Sequence, residues 1–320
     1  MKKLVLSHNI PVEYYRDYVK DMEVAVPQEP LACWTREEAR EVIKDADIFI
    51  CYHDFRMDQE LIDCGEKLSI IGNVGSGYDN VDWAYAKEKG IHVLNAPRAV
   101  VEATSEMTVA LMMGICRGVV QYDRELRRDL VMTRQLFFYR DMVLYGKTLG
   151  VIGMGRIGSR VAKKAAGLGM KIIYSNQCPI SPEAEADLGG AKYMTAEEVL
   201  AQADVVTVHI PLTSDTRHFI NAEKLSMMKK DAYLINASRG PIVEEAALLD
   251  ALKNHVIKGA ALDVQEFEPN VNPELAKLDN LVMTPHCCTN VAEVRVGMIH
   301  ELLEGVRTLL NGEKPYNLVC

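Results

Sequence analysis

Short apolar runs alternate with stretches of helical periodicity along nearly the whole chain. The runs at residues 4–7, 47–52, 69–73, 92–94, 148–152, 171–175, 204–209, 232–236, 259–262 and 281–284 read as strands. Uninterrupted apolar runs of this length suit strands covered on both faces. Strands separated by helical patterns imply βαβ units and parallel sheets. Two longer helical patterns stand out, at about residues 101–126 and 291–311. Used as crossings, they divide the chain into two lobes. Residues 1–98 and 289–320 then form one discontinuous domain, and residues 99–288 form a second domain inserted into it.

The run at 148–152 leads into Gly153-Met154-Gly155-Arg156-Ile157-Gly158, and a helix is expected over 159–168. A G-x-G-x-x-G sequence by itself is a weak signal. Placed between a strand and a helix, with a second strand at 171–175, it is the dinucleotide-binding turn of a Rossmann unit. Gly153 permits the tight turn, Gly155 lets backbone approach a pyrophosphate, and Gly158 lets the helix close on the strand. The amides and the positive end of the helix dipole then face the anion. Met154, Arg156 and Ile157 belong to the same turn. The second strand ends at Ser175-Asn176, where an NAD site ordinarily places Asp or Glu to bind the ribose 2′-hydroxyl. Without that carboxylate a 2′-phosphate is not repelled, yet no Arg or Lys follows before Lys192. The balance tilts slightly to NADP(H) over NAD(H).

Composition narrows the class. Of 320 residues, 48% are hydrophobic and 25% charged, as in an ordinary globular chain. The formal net charge is −9, and no basic cluster offsets it, so nucleic acid is not an expected partner. The most apolar stretch, 107–116, stops at Arg117, well short of the roughly 20 residues a spanning helix needs. No membrane association is expected. The basic start, Met1-Lys2-Lys3, precedes too short an apolar run for a signal peptide. Eight scattered cysteines without a C-x-x-C pair fit a reducing, cytoplasmic setting.

The remaining motifs carry a family resemblance over essentially the whole length. They are Gly72-Asn73-Val74-Gly75-Ser76-Gly77-Tyr78-Asp79-Asn80-Val81-Asp82, Asn95-Ala96-Pro97, Glu102-Ala103-Thr104-Ser105-Glu106, His209-Ile210-Pro211-Leu212-Thr213, Asn236-Ala237-Ser238-Arg239-Gly240, Ala261-Leu262-Asp263-Val264, Glu268-Pro269 and Thr284-Pro285-His286. In this order they resemble the D-isomer-specific 2-hydroxyacid dehydrogenases, in particular the glyoxylate/hydroxypyruvate reductase type. The resemblance implies an α/β fold in which a Rossmann domain is inserted in a flavodoxin-like substrate-binding domain. It also implies a homodimer, and NAD(P)H-dependent, reversible reduction of a small 2-oxo acid to the D-2-hydroxy acid in a cleft that closes over the substrate.

By the same resemblance Arg239 binds and polarises the substrate, His286 is the general acid and base, and Glu268 tunes His286. The chemistry asks for these types. Hydride arriving at the carbonyl carbon leaves negative charge on oxygen, which a guanidinium holds together with the neighbouring carboxylate. An imidazolium delivers the proton near neutral pH, and a carboxylate beside it favours the charged form. Glu266 is the rival for the glutamate role, and adjacency to Pro269 favours Glu268. The resemblance also assigns His209, Pro211, Ala237, Ser238 and Asp263 to the cofactor site. It assigns the amides of Val74 and Gly75, together with Arg239, to the substrate carboxylate, and Ser76 to the substrate site. Asp263 has a second reading, as a helix cap.

Several features stand outside the pattern. Tyr52 and His53 follow a first-lobe strand and are candidates to line the substrate pocket, with a plain structural loop as the alternative. Arg98 reads either as a second anion contact or as a surface arginine. Cys287-Cys288 follows His286, but no second cysteine cluster completes a zinc site, so no metal is expected; packing is the favoured role, with a reactive thiol beside the imidazole as the alternative. The aromatic segment 132–139, including Phe137 and Phe138, suits a dimer interface or core packing. Two other functions share the scaffold. A phosphite-type dehydrogenase would keep Arg239, Glu268 and His286, and a dinucleotide-sensing co-regulator could keep them without significant turnover.

Overall fold

The computed structural model describes residues 1–132 and 141–320. The chain forms two compact units, Met1–Val100 with Thr289–Cys320, and Val101–Cys288. The first contains β1 (Lys2–Leu6), β2 (Met22–Ala25), β3 (Ile48–Tyr52), β4 (Ile70–Val74) and β5 (His92–Leu94). These pair in parallel in the order β2-β1-β3-β4-β5, the flavodoxin-like order. The sheet interior is apolar on both faces: Ile48, Phe49, Ile50 and Cys51 are all buried. The Ala292–Leu310 helix lies against β4, where a Cβ on Gly72 would meet Leu302 at 3.0 Å.

The second unit contains β6 (Thr148–Ile152), β7 (Lys171–Ser175), β8 (Lys192–Tyr193), β9 (Val205–Val208), β10 (Tyr233–Asn236), β11 (Gly259–Leu262) and β12 (Leu281–Met283). Their order is β12-β11-β10-β9-β6-β7-β8, and the pairings are parallel. The order reverses between β6 and β9, which is where a doubly wound sheet opens a crevice for its ligand. Strand alternation builds two cores. Val205, Tyr233, Ile235 and Ala261 face one way, with Leu111, Met112 and Val161 from helices Val101–Cys116 and Arg156–Gly167. Val206, Val208, Leu234 and Leu262 face the other way, with Val199, Leu225 and Leu248 from the helices on that side. The α/β architecture of two parallel sheets is therefore as expected.

Three local differences from the sequence reading have physical causes. Strands β2 and β8 escape the apolar-run criterion because both are short sheet edges that keep polar positions exposed. The single helix expected at 101–126 is two helices, Val101–Cys116 and Val119–Asp129, because Gly118 adopts φ +63° between them. The helix after the glycine turn begins at Arg156, within the motif rather than after it. Among the described residues no single helix is long and apolar enough to cross a membrane. The segment 132–139, with Phe137 and Phe138, falls outside the described residues except for exposed Met132.

Candidate active site

The glycine turn is built as a dinucleotide needs it. Gly153 has φ +99°, and a Cβ there would lie 2.8 Å from the backbone of His209. At Gly158 a Cβ would lie 2.1 Å from the carbonyl oxygen of Gly153, so the helix can close on β6 only with glycine in that place. A Cβ on Gly155, by contrast, would meet nothing within 4 Å. Gly155 also caps the Arg156–Gly167 helix without a side-chain hydrogen bond. The turn thus presents open backbone at an uncapped helix start, which fits a pyrophosphate. Met154 is buried beneath it, while Arg156 is exposed at the first helical position.

Around this turn, Ser175 ends β7, and its carbonyl receives the Gly153 amide at 2.8 Å. Asn176 donates to the Cys178 carbonyl at 3.1 Å and accepts from the Tyr193 hydroxyl at 3.2 Å. Lys192, the first cation downstream, pairs with Ile173 on the edge strand. His209 follows β9. Its amide donates to Ile152 at 2.7 Å, and its Nε2 lies 2.9 Å from the Thr207 hydroxyl. Burial pushes the imidazole down to about 4 and keeps it neutral. Pro211 is exposed, and its carbonyl accepts from Thr216 at 2.6 Å.

The His209 shift makes stability depend on pH. Above pH 6.5 folded and unfolded chains are both neutral at this residue. Below it the unfolded chain takes up a proton that the folded chain refuses until about pH 4. Stability therefore falls across that window. Denaturant unfolding at pH 7 and pH 5 is expected to cost the wild type about 1–2 kcal/mol more than His209→Gln. Equal losses in both proteins would show that His209 does not titrate this way.

Arg239 sits three residues beyond β10. Buried Asn236 builds that turn: its Oδ1 accepts the Ser238 amide at 3.1 Å and the Ser238 hydroxyl at 2.7 Å, and its Nδ2 donates to the Arg239 carbonyl at 2.9 Å. The side chain of Arg239 donates from Nη1 to the Ser238 carbonyl at 2.9 Å. Ala237 is buried under the turn. Next, Gly240 lies so close to the following loop that a Cβ would fall 1.8 Å from the Gln265 carbonyl oxygen.

The glutamate and histidine meet. His286 Nδ1 lies 2.9 Å from Glu268 Oε2, and Glu268 Oε1 accepts the Gln265 amide at 2.9 Å. Both side chains are partly solvent-covered, at 27% and 35% exposure. Glu266, the rival, turns elsewhere and pairs with His218 Nε2 at 2.6 Å. His286 is in the left-handed region, with φ +51°, and its amide is tied to the Asp263 carbonyl at 2.7 Å and the Thr284 carbonyl at 3.1 Å. The buried Asp263 carboxylate holds the same loop. One oxygen accepts from the Thr284 hydroxyl at 2.6 Å and the Cys287 amide at 2.9 Å, and the other accepts the Cys288 amide at 3.1 Å. The structure thus gives Asp263 a bracing task beside any cofactor contact.

Burial and Asp263 raise both neighbouring thiols, Cys287 and Cys288, which disfavours a reactive thiolate. Among the described residues no three His, Cys, Asp or Glu side chains converge as metal ligands would.

In the first unit, Val74 is the last residue of β4 and lies beside Tyr52 in the sheet register. The turn after it is fastened by Ala96 N to Gly75 O at 2.8 Å and by Asn95 Nδ2 to Ser76 O at 2.7 Å. The Gly75 amide points back to the Asn73 carbonyl at 3.0 Å, so it is already engaged within the turn. Tyr52 is half-buried and meets the His8 ring edge-on at 5.0 Å, whereas His53 is exposed. Arg98 stacks on Tyr316 at 3.6 Å, a packing role.

Residues 109–288 match the model of the D-isomer specific 2-hydroxyacid dehydrogenase NAD-binding domain. The chain belongs to the D-isomer specific 2-hydroxyacid dehydrogenases. These are NAD-linked oxidoreductases acting on CH–OH groups. A protein of Staphylococcus aureus (strain MRSA252) named "Putative 2-hydroxyacid dehydrogenase" is 40% identical over 277 residues, 87% of each chain. Among solved structures, a glyoxylate reductase from Paecilomyes thermophila superposes with TM-score 0.89 at 30% identity, covering 99% of this chain and 98% of its own. A D-lactate dehydrogenase from Aquifex aeolicus, complexed with NAD and lactic acid, gives 0.85 at 26% identity with 99% of both chains covered.

Asn236, Gln265 and Thr284 also shape the site, and no residue-type pattern marks them in the sequence: Asn236 and Thr284 lie within family motifs, but their tasks depend on contacts that only the fold reveals.

Proposed function

We propose that this family member reduces small 2-oxo acids to D-2-hydroxy acids with a reduced nicotinamide dinucleotide, NADP(H) slightly favoured over NAD(H). One observation carries the reading. The glycine turn, Ser175, His209, Arg239, the Glu268–His286 pair and Asp263 all lie at or after the C-terminal ends of parallel strands of one sheet. That edge is where doubly wound sheets place ligands and chemistry.

When bound, the dinucleotide supplies the hydride. The backbone of 153–158 would hold its pyrophosphate, and Ser175 would bind at its ribose. The Arg239 guanidinium holds the substrate carboxylate and stabilises charge growing on the carbonyl oxygen. His286 turns Nδ1 to Glu268, so Nε2 delivers the proton to that oxygen. Glu268 fixes the ring and offsets its charge. In the oxidation direction neutral His286 takes the proton back. The glyoxylate reductase and D-lactate dehydrogenase neighbours favour a short substrate side chain.

The test is loss of reduced-nicotinamide absorbance with a panel of 2-oxo acids that includes glyoxylate, hydroxypyruvate and pyruvate. Turnover that disappears in His286→Ala supports the reading. No turnover despite tight dinucleotide binding would sink it and turn attention to phosphite as donor or to protein partners.

Ser175 sets a second expectation. Ser175→Asp places a carboxylate where it repels a 2′-phosphate and accepts from a 2′-hydroxyl. The NADPH/NADH ratio of kcat/KM is expected to fall by about tenfold or more. An unchanged ratio would remove Ser175 from cofactor selection.

A further inference from the structure

The second unit holds a second histidine–glutamate pair, whose glutamate lies two positions before Glu268. The side chain of Glu266 is only 7% exposed. Both of its oxygens are engaged: Oε1 faces His218 Nε2 at 2.6 Å, and Oε2 accepts the Glu245 amide at 2.9 Å. Arg217 Nη1 is 3.8 Å from Oε1. A buried carboxylate costs free energy unless its oxygens are satisfied, and here the partners come from two other segments.

Each partner leads back to the candidate catalytic groups. The backbone of His218 donates to the Pro241 carbonyl at 2.8 Å, Ile220 donates to Ile242 at 2.9 Å, and Glu244 donates to Ile220 at 2.9 Å. Segment 218–220 is therefore laced to the turn that begins at Arg239 and Gly240. On the other side, Glu266 is flanked by Gln265 and followed by Glu268. The Gln265 amide donates to Glu268 at 2.9 Å, and its side chain reaches the Thr284 carbonyl at 3.3 Å. That same carbonyl receives the His286 amide at 3.1 Å. Between these anchors the loop is exposed, with Phe267 59% accessible. Its inward-facing tether is the Glu266 carboxylate.

We propose that Glu266, clamped by His218 and the Glu245 amide, is a positioning residue that registers the Glu268 loop against the Arg239 turn. It touches neither substrate nor cofactor and acts through Glu268 on His286. The inference rests on the proposed catalytic role of Glu268 and His286, so its test includes a signal that needs no turnover.

Imidazole protons shared with carboxylates give far-downfield proton NMR signals. The His286–Glu268 and His218–Glu266 pairs are each expected to give one such signal, the first removed by His286→Asn and the second by His218→Asn. In Glu266→Ala the His218 signal must vanish. The proposal predicts that the His286 signal is also lost or broadened, as it is in Glu268→Gln, and that Glu266→Gln partly restores it. His218→Asn, at a partly exposed residue, serves as the milder variant should Glu266→Ala fold poorly. It is expected to broaden the His286 signal too. A His286 signal unchanged in position and width in Glu266→Ala or His218→Asn would overturn the proposal.

The kinetic counterpart is a kcat loss of about tenfold in Glu266→Ala, with dinucleotide affinity within about twofold of wild type. In a Glu268→Gln background the same change should add little, because both variants break one chain of contacts. Multiplied losses would mean that Glu266 acts independently of Glu268 and would also overturn the proposal. Failure of the functional reading looks different: no oxo acid would turn over in the wild type, while the two NMR signals would still answer whether Glu266 holds the Glu268–His286 pair.

Discussion

Arg239→Ala is expected to lower kcat/KM for the best 2-oxo acid by about a thousandfold or more, with dinucleotide binding unchanged. The guanidinium is asked to hold a carboxylate and to meet charge that appears on the carbonyl oxygen during hydride arrival. Both tasks need a planar fork of donors. Arg239→Lys keeps the charge but loses the fork, and a residual loss of about ten- to a hundredfold is expected. The turn itself should survive either change. Asn236 holds it through the Ser238 amide and hydroxyl and the Arg239 carbonyl, and none of these involves the guanidinium. Steady-state kinetics with a fluorescence titration of the dinucleotide separates the two effects. Turnover within tenfold of wild type in the alanine variant would exclude Arg239 as the polarising group.

Gly240→Ala should be nearly as damaging, for a steric reason. The added Cβ would lie 1.8 Å from the Gln265 carbonyl oxygen, 2.1 Å from its carbon and 2.6 Å from the Glu266 amide nitrogen. These are backbone atoms, with no flexible side-chain end to swing aside, so one segment must move by an ångström or more. Either movement disturbs the chemistry. Arg239 is carried by one segment, and the Gln265 amide that holds Glu268 belongs to the other. A misplacement of this size typically costs about a hundredfold in rate, and overpacking costs about 1–3 kcal/mol of stability. Kinetics and denaturant unfolding of the purified variant measure both. Wild-type values would mean that the two segments are not in contact.

The central strands of both sheets were legible because they are covered on both faces and read as unbroken apolar runs. The edge strands Met22–Ala25 and Lys192–Tyr193 were not, since their exposed polar positions, Glu23 and Lys192 among them, break the run, whereas the edges His92–Leu94 and Leu281–Met283 keep buried apolar residues. Gly118 stood in plain view, yet Val119 and Val120 continue a helical pattern across it, and only its positive φ reveals the break. The site divides in the same way. The glycine turn announces itself by spacing, because its glycines answer local steric demands. Glu268 and Glu266 differ in sequence only by a neighbouring proline; their partners, His286 and His218, separate them in space. Asn236, Gln265 and Thr284 act through hydrogen bonds to segments remote in sequence or to their own turn, which no residue-type pattern encodes. Asp263 reads in sequence as a cofactor contact or a helix cap; its carboxylate caps no helix and instead braces the loop through Thr284, Cys287 and Cys288.

The most direct test of the account follows the hydride. Reduced dinucleotide carrying deuterium at the transferable position is mixed with the enzyme and the best 2-oxo acid. The product is then resolved by chirality and examined by mass spectrometry. The account predicts a D-2-hydroxy acid with deuterium on C2, formed by the wild type and at least about a hundredfold more slowly by His286→Ala. The L-product, an unlabelled C2, or equal rates from His286→Ala would contradict it.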